Sequence, residues 1–191
     1  MKNTLKTLSL ATAILGSTFA FSQQAMLTAN DNPMVGGMAM FTTKNIVENA
    51  LNSADHTTLV AAVKAAGLVE ALMGDGPFTV FAPVNSAFDM LPKGTVDKLL
   101  MAENKSMLTN VLTYHVVKGK WTFDMISEAI EKGDGTATLE TLSGQKLWAM
   151  WNGPKNIVLK DGTGAIASIT TYDVIQKNGV IHVINKVLMS K

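Results

Sequence analysis

The sequence predicts an α+β fold. Helical spacing of apolar residues fills the first half of the 191-residue chain, and short β-branched runs fill the second. Ser143-Gly144, Asn152-Gly153-Pro154, Asp161-Gly162 and Asn178-Gly179 separate those runs, and each is a turn signal because Gly, Asn and Asp accept the φ values that reverse a chain. Helices first and strands later favour α+β over a doubly wound α/β sheet, and strands joined by such short turns are expected to pair antiparallel.

The N-terminus reads as a secretory signal. Lys2 and Lys6 precede the uncharged stretch Leu8–Gly16, and the small residues Ala20, Ser22 and Ala25 are candidate cleavage points. The apolar core is shorter than the ~20 residues a span requires. Residues 1–25 are therefore expected to be a signal peptide, cleaved near 20–25, leaving no membrane span. Residues 26–43 mix Gly, Pro, Asn and Met without periodicity and read as a flexible tether. From 44 to 191 the texture is continuous and no repeat is visible, so one domain is expected.

Within that domain Ile46, Val47, Ala50 and Leu51 recur at helical spacing. Leu59, Val60, Val63 and Ala66 do so behind the candidate cap Asp55, with Gly67 placed to stop the helix. Leu68 to Met73 forms a short helical segment before the turn Asp75-Gly76-Pro77. Phe78 to Ala82 reads as a buried strand, and Asn85 as the cap of a short helix carrying Phe88 and Leu91. Helices are expected over 95–101 and 105–112, then a strand over 113–117, then a helix from the cap Thr122 to Lys132 and Gly133. Strands follow at 136–142, 145–151, 156–160, 164–169 and 180–188. The last is an almost unbroken aliphatic run, which suits a strand covered on both faces.

Composition excludes several function classes. All 16 basic residues are Lys, and removal of Lys2 and Lys6 with no acid takes the formal net charge from +1 to about −1. A near-neutral chain without Arg lacks the electrostatics and the bidentate donors of a nucleic-acid binder. Cysteine is absent, so disulfides, thiol catalysis and Cys-ligated zinc are excluded. No Gly-x-Ser-x-Gly, Gly-x-Gly-x-x-Gly or Walker pattern occurs, and the acids are scattered over helix faces. His56 is expected at a helix start, exposed; His115 and His182 are expected as buried, backbone-bonded strand residues. The methionines read as packing residues, with a thioether copper(I) site at Met34, Met38 and Met40 as the competing reading. Trp148 and Trp151 fall three apart in a strand, so one faces the core and the other faces outward. No cofactor, metal or catalytic residue is expected.

Three ordered segments carry a family resemblance. Phe78-Thr-Val-Phe-Ala-Pro-Val-Asn-Ser-Ala-Phe88, the pair Tyr114-His115, and Asn178-Gly-Val-Ile-His-Val-Ile184 resemble the signature segments of the fasciclin domain, with Val84 and Asn185 replacing the Thr and Asp usual there. The similarity runs from Asn45 to Met189 and is strongest to small secreted bacterial members. It implies a wedge of antiparallel-rich β-sheets with helices packed around it, and a role in cell–cell or cell–matrix attachment. In animal members integrin recognition involves an acidic-aliphatic stretch before the last signature and the region of the Tyr-His pair. The matching positions here are Asp173, Val174, Ile175, Tyr114 and His115, although Thr171-Tyr172 stands where the animal motif has Glu-Pro.

The chain is thus expected to be an exported, non-enzymatic surface-interaction module for an extracellular protein or glycan. The alternative is an exported binding protein for a small apolar ligand or polysaccharide. A cavity lined by Trp148 or Trp151 with methionines would favour that alternative, and a solid core would disfavour it.

Overall fold

The computed structural model describes residues 32–190; the expected signal peptide and the first residues of the expected tether lie outside them. From Pro33 the chain is folded, where a tether was expected to continue to residue 43. Strands β1 (Met34–Val35) and β2 (Met38–Ala39) form a hairpin around Gly36 and Gly37. Val35 and Met40 are buried in the core, and Phe41 exchanges two hydrogen bonds with the Asn49 amide (3.0 and 2.8 Å). Two apolar side chains thus anchor a stretch whose Gly-Pro-Asn content reads as unstructured.

The helices follow the expected order. Helix α1 (Ile46–Ala50) opens with a capping box in which Asn45 and Glu48 satisfy each other's backbone amides. Helix α2 (Thr57–Ala66) ends at Gly67 in the left-handed conformation, φ 74°. Its cap is not Asp55. The Asn85 carboxamide accepts from the Thr58 amide (3.0 Å) and donates to the Ala54 carbonyl (2.9 Å). Asn85 therefore serves a helix start 27 residues earlier in the chain, not the short helix that it begins. Then come α3 (Val69–Met73), β3 (Phe78–Pro83), α4 (Asn85–Asp89), α5 (Thr95–Leu100) and α6 (Lys105–Tyr114). Strand β4 (Val116–Lys118) and helix α7 (Phe123–Lys132), capped by the Thr122 hydroxyl, lead into the β-rich half. That half contains β5 (Thr136–Glu140), β6 (Lys146–Trp151), β7 (Ile157–Lys160), β8 (Ile166–Gln176) and β9 (Gly179–Ile184).

Seven strands form one sheet in the order β4-β3-β9-β8-β7-β6-β5. Every pairing is antiparallel except β3 with β9. Just past β5, Thr141 bridges to Val117 and the Leu142 amide donates to the Val116 carbonyl at 2.7 Å, so the two outer strands meet and the sheet closes on itself.

Alternation along the central strands separates two cores. Phe81, Val117 and Ile184 point into the closed sheet with Leu139, Leu147 and Leu159, and α7 adds Ile126 and Ile130. Val80, Ala82, Val116, Ile181 and Val183 face α1 to α6. Every residue of β9 is buried, in agreement with its unbroken aliphatic sequence.

Strand β8 is much longer than the expected 164–169. Its pairing with β9 slips between Ile169 and Thr171 and again between Thr171 and Val174. These bulges break the period of two that a sequence pattern needs. The Asn178-Gly179 pair is not a left-handed turn either, since neither residue has positive φ. A Cβ at Gly179 would overlap the Phe78 carbonyl of the adjacent parallel strand, so close approach explains the glycine. The Asn178 side chain accepts from the Ile46 amide (3.0 Å) and donates to the Leu72 and Gly74 carbonyls (2.8 and 2.9 Å), joining α1, α3 and the sheet.

Candidate functional site

The Tyr-His pair ends a helix instead of lying in a strand. The spacing Leu108, Val111, Leu112 continues the apolar face of α6 through Tyr114, and His115 is its C-terminal cap residue. Both side chains are buried, Tyr114 at 0% and His115 at 2% exposure. The Tyr114 hydroxyl donates to the Lys146 carbonyl (2.8 Å) and accepts from the Gly162 amide (2.9 Å). His115 Nδ1 donates to the Val111 carbonyl (2.8 Å), while Nε2 accepts from the Leu188 amide (2.9 Å), which fixes the neutral tautomer. Burial lowers the His115 pKa to about 4, and raises that of Tyr114. Beside them the buried Asp161 carboxylate accepts from Thr163, Ala165 and the Met189 amide. These groups fasten the Asp161-Gly162 turn and residues 188–189 to the domain.

Asp173 sits in the second bulge of β8, where Tyr172 and Asp173 oppose His182 alone. Its φ is 53°, a left-handed value that Asp tolerates better than most residues. Its Oδ1 accepts from the Phe123 amide at the start of α7 (2.8 Å), and its own amide donates to His182 Nδ1 (3.3 Å). His182 Nε2 donates to the Trp121 carbonyl (2.7 Å), and Thr79 Oγ1 accepts from the Trp121 amide (2.8 Å). Burial lowers the His182 pKa, keeping the ring neutral in this role. Val174 is fully buried against the helices, whereas Asp173 and Ile175 are half-buried. The side chains of the two candidate stretches share no hydrogen-bond partner, so the structure builds two separate braces from them.

His56, expected to be exposed, is 3% exposed; its Nδ1 lies 2.8 Å from the Ser53 hydroxyl and its Nε2 has no partner among the described residues. Ser53 is equally buried, and the two side chains line a cavity of only about 20 Å³ with Val35, Met40 and Ile181, too small for a substrate. Among the described residues no three His, Asp or Glu side chains converge on a metal-sized site. No described helix is long and apolar enough to cross a membrane.

Among the described residues an open groove of about 480 Å³ lies between α7 and the turn at 151–155, and two of the other concavities bear on a ligand. One is an apolar cavity of about 50 Å³ between α1, α2, α3 and β3, lined by aliphatic side chains such as Ile46, Val63, Val69 and Ile181, with Lys64 at its rim. Neither Trp148, Trp151 nor a methionine lines it. The other is a surface depression of about 430 Å³ around Trp148, Met150, Thr136, Lys160 and Thr163. Trp148 faces outward and Trp151 packs against the inner core beside Phe123, the opposite orientations that their spacing requires. The grouping around Trp148 was not legible in the sequence, because it depends on which residues of β5 and β7 lie opposite β6.

The family model described as the fasciclin domain matches residues 54–190. The chain belongs to the fasciclin domain family. The chain of this fasciclin-domain protein is 41% identical over 183 residues to protein sll1483 of Synechocystis sp., covering 93% of each chain. It is 34% identical over 145 residues to the immunogenic protein MPB70 of Mycobacterium bovis, covering 73% of this chain and 66% of that one. Its fold superposes with a TM-score of 0.67, at 17% identity, on a FAS1 domain pair from the insect cell adhesion molecule Fasciclin I, covering 76% of this chain and 51% of that one. The closed sheet with flanking helices is thus the family's fold.

Proposed function

We propose that this fasciclin domain is an exported, non-enzymatic module for cell adhesion or surface attachment, recognising an extracellular protein or glycan. One observation carries the reading: the groups that would serve chemistry are spent on structure. His115, His182, Asp161 and Asp173 each hold backbone amides or carbonyls, and His115 and His182 are buried in their neutral forms. Such an interior supports a rigid scaffold that presents side chains and loops. The fold shared with an insect adhesion molecule agrees with it.

In this reading the five candidate residues divide by accessibility. Asp173 and Ile175 touch the partner, while Val174, Tyr114 and His115 hold the surface in shape. A pull-down from cell-surface extracts with wild type, Asp173→Asn and Ile175→Asp tests the division. Selective loss of partners by the variants supports contact at this stretch; equal recovery removes both residues from the site. Wild type that retains nothing from surface extracts would end the adhesion reading itself.

A second reading, a small apolar ligand, is favoured by the aliphatic cavity beneath α1 to α3. At about 50 Å³ it is a third of the ~150 Å³ known to admit benzene in an engineered apolar cavity, so a ligand would have to part the five-residue helices α1 and α3. Saturable shifts of the Val63 and Val69 methyl resonances on addition of a short-chain fatty acid would support it, and unshifted resonances would dismiss it.

A further inference from the structure

The geometry points to the outward face of β5, β6 and β7, centred on Trp148, as a binding site for a carboxylate-bearing glycan, that is, a polysaccharide containing uronic acid. The inference rests on the surface-attachment reading and names its partner chemistry. Strand register assembles the site. Trp148 lies opposite Thr138 on one side and Lys160 on the other, and the next row outward places Met150 beside Thr136. Leu139, Leu147, Ala149 and Leu159 of the same strands point inward, so this face is the solvent side of the sheet. Thr138 and Lys160 are exposed there, and Trp148 is half-buried.

The occupant follows from what the face offers. A half-exposed indole flanked by hydroxyls matches a pyranose, which presents a C–H surface to the ring and hydroxyls to its rim. Charge then selects among sugars. Asp161 borders the depression, but its carboxylate is turned inward and held by Thr163, Ala165 and Met189. The one ion pair among the described residues is Glu128–Lys132, so no carboxylate neutralises Lys160. The Lys160 ammonium is not stacked on the indole either, since the cation–π contact among the described residues joins Lys44 to Phe41. The depression therefore carries one unpaired positive charge beside an aromatic ring, a complement to a sugar carboxylate. Its volume, about 430 Å³, falls within the ~300–1,000 Å³ of small-molecule sites. A partner strand cannot pair with β6, the strand that carries Trp148, because β5 and β7 already flank it.

The test titrates the protein by isothermal calorimetry with a β-1,4-mannuronate hexamer and with neutral β-1,4-mannohexaose, which share a backbone and differ in the carboxylate. The expected result is saturable binding of the mannuronate, weakened by salt and about tenfold weaker for mannohexaose and for Lys160→Met. Trp148→Ala is expected to weaken it about tenfold or more. Should Trp148→Ala fail to fold, Lys160→Glu at its exposed position carries the test and is expected to abolish binding. Absence of binding by wild type, equal affinity for both hexamers, or undiminished binding by folded Trp148→Ala or Lys160→Glu would overturn the assignment. Wild type that recovers partners from surface extracts yet ignores mannuronate defeats this inference alone. Mannuronate binding with nothing retained from extracts defeats only the attachment reading.

Discussion

Protonation of His115 would set a second ring N–H against the Leu188 amide that Nε2 now accepts from. The folded-state pKa of about 4 lies below the unfolded value near 6.5, so the unfolded chain binds more protons between those limits. Stability from this group is complete above pH ~6.5, falls with pH, and by pH ~4 has dropped on the order of 3 kcal/mol. The check is urea unfolding at pH 7 and 4.5, in which His115→Gln should show a shallower pH dependence than wild type. His182 and His56 have the same direction of shift and keep some acid sensitivity in that variant. Asp173 invites a second measurement. Asp173→Ala loses the acceptor of the Phe123 amide and keeps a Cβ at φ 53°, so thermal unfolding should show a loss of about 1–2 kcal/mol, with Asp173→Asn close to neutral. The burial of His115 and His182 was legible in their apolar neighbours. The burial of His56 was not, since Ser53 and the β1–β2 hairpin that cover it have no periodic signal.

At the scale of elements, two asparagines bind pieces that are distant in the chain. Asn85→Ala removes the cap at Thr58, and faster hydrogen exchange at the first amides of α2 should accompany a loss of about 1 kcal/mol. Asn178→Ala breaks three hydrogen bonds and should cost about 3 kcal/mol in urea unfolding. Sequence spacing identified both as local turn or cap residues, because a side chain reaching across the fold has no signature in its neighbours. The same limit shortened β8, whose bulges hide the alternation, and turned the end of α6 into a strand, since Tyr114, His115, Val116 and Val117 are all buried. The hairpins β5 to β8 were legible because each turn residue acts within its own loop.

For the whole molecule, stability without a disulfide rests on two cores separated by β3 and β9. The helix-side core holds an apolar cavity of about 50 Å³, which at ~24 cal/mol per Å³ corresponds to roughly 1 kcal/mol. Val63→Ile, adding one methylene into that space, should raise the free energy of unfolding in urea by a few tenths of a kcal/mol up to about 1. The α+β class and its order of helices and strands were legible from composition and turns. Closure of the sheet was not, because it depends on a single bridge between residues 24 positions apart, Val117 and Thr141. That seam has a consequence for a molecule crowded on a surface. With Val117 bridged to Thr141, the large sheet offers a neighbour only short free edges to zip onto. Concentrated copies should stay discrete instead of growing into fibres, and whatever they grip must be held by side chains.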